Sequence, residues 1–104
     1  MNRTPFFSVE SDTLGTLRVS GAISYSNAGS ALERMPQPGR AGGTMDIDLS
    51  ALEKSDSATL AVLIAWAARA SRQGVTLRYK RVPQGLRNLA KLSSVDTMLG
   101  MSER

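Results

Sequence analysis

Cysteine and histidine are both absent from this 104-residue chain. Disulfides, thiol nucleophiles, the usual zinc sites and the commonest acid–base side chain go with them. The lack of cysteine fits a reducing compartment. Aromatic residues are 5% of the chain, with Phe6 and Phe7 side by side near the start. Two aromatics and scattered basic residues make no RNA- or DNA-binding pattern. No glycine-rich loop runs from a strand into a helix, so nucleotide binding has no motif. No apolar run approaches the roughly 20 residues of a spanning helix. The longest, Leu60 to Ala68, is about half that and belongs to an amphipathic segment. Met1 to Pro5 lead into no signal-type apolar core, so the protein is expected to stay in the cytoplasm where it is made.

What remains is an ordinary globular composition. Apolar residues are 41% and charged residues 21%. That balance places the chain outside the disordered class. The length suits one domain with one core, taken as residues 1–104. The net charge of +4 is a modest basic excess. Arg69, Arg72, Arg78, Lys80, Arg81, Arg87 and Lys91 gather in the second half. They read as solvated surface and as complements to helix ends.

Periodicity assigns the elements. Phe7 to Glu10 is a short first strand, and Thr16 to Ser20 alternates like a half-buried strand that Gly21 breaks. Ala28, Ala31, Leu32 and Met35 give a helix from Ser26 to Met35, capped by Ser26 or Asn27. A loop rich in Pro and Gly follows, from Pro36 to Gly43. Met45 to Ser50 alternates as a central strand, and Ala51 to Asp56 reads as a turn. A long helix spans Ser57 to Gln73, with Leu60, Leu63, Ile64, Ala67 and Ala68 on one face and Gly74 as its stop. Val75 to Tyr79 is another strand. Pro83 opens a helix with Leu86, Leu89 and Ala90 inward, and Ser94 caps a last short helix through Met98 and Leu99.

The fold class is therefore α/β, in the order β-β-α-β-α-β-α-α. The βαβ unit implies parallel neighbours joined by a right-handed crossover. Leu17, Val19, Ile47, Leu49, Leu77 and Tyr79 point one way along their strands. Arg18, Asp46, Asp48, Thr76 and Arg78 point the other. Strict alternation marks a sheet covered on one face only. The expected architecture is a four-stranded mixed sheet with helices packed on one face. Opposite charges on the open face could pair across strands. Asp46, Asp48, Glu53 and Asp56 are carboxylates a metal could use, but charges on a solvated sheet face are routine. No metal or cofactor is expected, and no acid–base pair points to an enzyme.

Ile47-Asp48-Leu49-Ser50, a turn, then Asp56-Ser57-Ala58-Thr59-Leu60 opening a helix, resembles the signature of STAS domains. These are the domains of anti-sigma-factor antagonists and of sulfate-transporter tails. The resemblance covers most of the chain in the same element order. The second half, Leu63 to Gly74, Val75-Thr76-Leu77 and Asn88-Leu89-Ala90-Lys91-Leu92, is similar to the MlaB-type subgroup. Ala58 and Thr59 stand where the family carries glycine, which would permit close backbone approach by a partner.

The resemblance implies a non-catalytic STAS subunit of an MlaFEDB-type phospholipid ABC transporter. Such a subunit binds an MlaF-like ATPase and, through it, an MlaE-like permease. It would then lie at the inner membrane through its partners, without inserting. By position, the partner-contacting hydroxyl would be Ser57, flanked by Asp56, Ala58 and Thr59. The alternative is an anti-sigma-factor antagonist, in which Ser57 would be phosphorylated by an anti-sigma-factor kinase. On its residues alone Ser57 reads first as an N-cap, a role compatible with contact, and the resemblance brings the partner-contacting reading level with it. The helix start tolerates an anion, while Asp56 repels one. Trp66 and Val62, one turn apart, fall opposite the apolar stripe and read as an exposed partner-binding anchor. The other reading is that the loop from Met35 to Thr44 covers Trp66.

Overall fold

The computed structural model describes residues 7–11, 16–34, 42–54, 56–95 and 99. Its elements are β1 (Phe7–Ser11), β2 (Leu17–Ala22), α1 (Ala28–Glu33), β3 (Thr44–Lys54), α2 (Ser57–Arg72), β4 (Thr76–Lys80) and α3 (Gln84–Leu92). The sheet order is β1-β2-β3-β4. β1 pairs antiparallel with β2, while β2–β3 and β3–β4 are parallel. This is a small α/β domain on a four-stranded mixed sheet, as the alternation implies. The two parallel pairs are bridged by α1 and α2, which must run back across the sheet to join them.

The core forms on the face where alternation aimed it. Val19, Ile47, Leu49, Leu77 and Tyr79 are buried there with Leu63, Trp66, Ala70, Leu86 and Ala90. The Tyr79 hydroxyl donates to the Leu63 carbonyl at 2.7 Å, tying β4 to α2. Burial pushes its pKa well above the usual tyrosine value, so it stays a donor.

β3 runs on to Lys54, so the expected turn over Ala51 to Asp56 is corrected to four more strand residues and the entry to α2. The cause is a register shift. Arg18 faces Asp48, but Ser20 faces Ala51, so β3 carries an extra residue there. A bulge of this kind flips the side-chain parity. Leu52, not Ala51, is buried as a result. Gly21 does not end β2 either; it sits inside the strand at φ +87, beside a second shift between Gly21 and Ala22. Both irregularities break the period of two that the sequence reading relied on.

α1 is shorter than its apolar spacing suggests, and Met35 lies outside the described residues with most of the following loop. Gln73 is the C-cap of α2, and Gly74 follows it in the left-handed region at φ +78. Pro83 is the N-cap of α3. Of the expected last helix, 96–98 lie outside the described residues; Leu99 is buried and its N–H meets the Val95 carbonyl at 2.9 Å.

The open face of the sheet is less open than predicted. Arg78 Nε reaches Asp46 Oδ1 at 2.9 Å, a cross-strand pair of the expected kind. Asp48, however, is only 5% exposed and is not a solvated charge. Arg18 from β2 and Arg81 beyond β4 both lie over it, at 3.5 and 3.3 Å. Arg81 holds this place with a positive φ of 54°.

Candidate functional site

α2 begins with a local circuit. Asp56 is its N-cap, with Oδ1 accepting from Ala58 N at 2.9 Å and Thr59 N at 3.1 Å. Thr59 Oγ1 in turn accepts from Asp56 N at 3.2 Å, completing a capping box. The same hydroxyl donates to the Ile23 carbonyl at 2.6 Å, so it also moors α2 to the end of β2. The capping reading of Ser57 is therefore corrected: Asp56 caps, because it is the extended residue just before the helix and its carboxylate accepts from two of the unpaired N–H groups of the first turn. Ser57 becomes the first helical residue, exposed, with its hydroxyl free of the cap.

Ser57 Oγ lies 3.0 Å from the Tyr25 hydroxyl. Tyr25 sits in the turn between β2 and α1 and is 77% exposed. That turn is built by Asn27. Its side chain accepts from Ser24 N and donates to the Ala22 carbonyl, each at 2.8 Å. Ser24 and Ser26 hydroxyls meet at 2.9 Å beside it. Two parallel strands thus end next to each other and present a small hydroxyl cluster around one outward aromatic ring. A site beyond the carboxyl ends of parallel strands is where open α/β sheets commonly place a ligand or partner.

The structure brings Asp56, Ser57 and Thr59 together and separates them from the other predicted anchors. Trp66 is 0% exposed, and its Nε1 donates to the Ala31 carbonyl at 2.9 Å. Val62 is buried with it. The prediction that both form an exposed anchor is corrected: α1 packs on that side of α2, making it a second inward face. Ala58 and Thr59 are buried as well, so neither presents a side chain to a partner. Of the predicted partner-binding residues, Asp56 and Ser57 remain accessible.

Tyr25 is the residue sequence reasoning missed. A signal was present. From Val19 to Leu32, and again from Ser57 to Ala68, no residue is charged. Tyr25 stands between two serines inside the first of these runs. The fold lays the two runs side by side through the contact of α1 with α2. Surface at Tyr25, Ser26, Gly29, Ser30, Ser57 and Ala61 is exposed and uncharged. Charge depletion around a tyrosine is the compositional mark of an interface centre.

Among the described residues no cluster of carboxylates is arranged to hold a metal. Among them, too, no helix is long and apolar enough to cross a membrane. A protein-family model described as Mlab, STAS domain, matches residues 8–100. No curated protein matches the chain.

Proposed function

The chain belongs to the MlaB-type STAS domain family, and on that footing we propose that it is a non-catalytic subunit of an MlaFEDB-type phospholipid ABC transporter. It binds the cytoplasmic ATP-binding subunit and supports its assembly with the permease, so that it sits in the cytoplasm at the inner membrane. The observation that carries this reading is the Ser57–Tyr25 hydroxyl pair. It leaves the helix-start hydroxyl outward and uncommitted to the cap, beside an exposed aromatic and the accessible Asp56. Tyrosine supplies a large contact area with a polar tip, and such residues dominate binding energy. The chain has neither His nor Cys, the commonest acid–base and thiol side chains of catalysis, which supports a docking role over a catalytic one.

The test is purification of the tagged protein from membranes in mild detergent, at native expression, with mass spectrometry of its companions. An ABC-type ATPase and a permease in near-equal amounts bear the proposal out. A soluble kinase or anti-sigma factor in their place overturns it and makes Ser57 a phosphorylation switch.

A further inference from the structure

From Ser57 to Val95 the chain holds seven Lys or Arg residues and no Asp or Glu. Three of the seven are occupied: Arg78 by Asp46, Arg81 by Asp48, and Arg69 by the Leu32 carbonyl at 2.9 Å. Among the described residues the other four, Arg72, Lys80, Arg87 and Lys91, pair with no carboxylate, and the last two share one helix. Arg87, half-buried, and Lys91, exposed, lie one turn apart on α3, about 100° round the helix from the buried Leu86 and Ala90. At about 100° per residue the outward arc of α3 runs through Arg87, Lys91, Gln84, Asn88 and Leu92. Gln84 and Asn88 bond each other at 2.8 Å and leave the basic groups unengaged. Leu92 ends the arc at 84% exposed, more than Tyr25, the other large hydrophobic residue exposed among the described residues.

We propose that this outward face of α3 rests on an anionic phospholipid surface. Arg87 and Lys91 lie over lipid phosphates, with their stems along the interface, while Leu92 reaches into the headgroup–acyl boundary. The choice of lipid over an acidic protein follows from the residue types. Protein interface centres are rich in aromatics and poor in Lys. Here the apolar element is a lone Leu beside Lys91, and the exposed aromatic, Tyr25, belongs to the α2 start instead. Two basic groups and one leucine make a reversible, salt-sensitive contact. The inference is independent of the Ser57 reading, because it uses a different element and a different partner.

The experiment is flotation of the whole chain with vesicles of neutral phosphatidylcholine, and with the same lipid carrying about 30% phosphatidylserine, at about 0.1 M salt. Binding is expected on the anionic vesicles and not on the neutral ones. Arg87→Ala and Lys91→Ala should each weaken it about fivefold. Leu92→Ser should weaken it with charge unchanged. Thermal melting of each variant separates lost contact from lost fold, with Lys91 and Leu92 exposed and Arg87 half-buried. Equal binding to both vesicle types, no binding to either, or binding insensitive to all three substitutions would each overturn the proposal. So would capture of polyglutamate with no vesicle binding, which would make the partner an acidic protein.

Discussion

Thr59 and Ser57 sit two positions apart and carry opposite burdens. Thr59 is fully buried, and its hydroxyl both accepts from Asp56 N and donates to the Ile23 carbonyl. Thr59→Val keeps the shape and leaves two polar groups without partners. A loss of about 1–3 kcal/mol is expected in urea unfolding. Ser57 is exposed, and its removal disturbs nothing inside. Ser57→Ala should change stability by less than about 0.5 kcal/mol. It should nevertheless weaken binding to the ATPase subunit, and Ser57→Arg should weaken it further while melting like the parent. Tyr25→Ala belongs to the same set, with a binding cost of about 2 kcal/mol if the ring is the anchor. Unchanged affinity for all three, measured by calorimetry with the purified partner, would remove this face from the interface. Trp66 separates the two readings of α2 directly. Buried and bonded to Ala31, it should cost about 3–5 kcal/mol as Trp66→Ala, a loss an exposed anchor would not show.

At the scale of the element, α2 was legible in extent and illegible in orientation. Its cap region, its long run without Pro or Gly and the Gly74 stop delimit it well, and the observed Ser57–Arg72 differs by one residue. Its inward side could not be read because apolar residues surround it. Leu60, Val62, Leu63, Ile64 and Trp66 point in several directions, and a stripe chosen for best spacing picks one of them. The helix is in fact wedged between α1 and α3 over the sheet, so it buries two sides. Leu63 lies in both accounts of the core, and Leu63→Ala should cost about 2–5 kcal/mol by thermal or chemical melting. β3 shows the converse limit. Its alternation from Met45 to Leu49 is readable, and the bulge opposite Ser20 is not. A bulge depends on the partner strand's register, and no residue within β3 signals it.

For the whole molecule, the outer face of the sheet couples stability to pH through Asp48. Burial works against its charge. The Ser50 backbone N–H, at 2.8 Å, the Ser50 hydroxyl, and the Arg81 and Arg18 guanidinium groups together outweigh burial. The carboxyl is held below its usual value. A group with a depressed folded pKa contributes stability above its unfolded value, about 3.9 for Asp. That contribution is lost as pH falls through the lower folded value. Asp48→Asn should therefore be less stable than the parent near neutral pH, with the gap narrowing below about pH 4 in an acid titration of the unfolding midpoint. A constant gap would mean that the asparagine loses packing and not charge.

By itself the sequence determined the α/β class, the order of the elements from β1 to α3, the face of the sheet that turns inward and the position of the hydroxyl at the start of α2. All of these follow from spacing within one element or from short motifs, where neighbours along the chain are neighbours in space. Only the tertiary structure decided that Trp66 and Val62 face inward, that Asp48 is covered, and that Tyr25 stands beside Ser57. Each of those depends on residues about thirty or more positions away: Ala31 beneath Trp66, Arg18 and Arg81 over Asp48, Tyr25 against Ser57. Local periodicity carries no record of such partners, because the packing of whole elements brings them together.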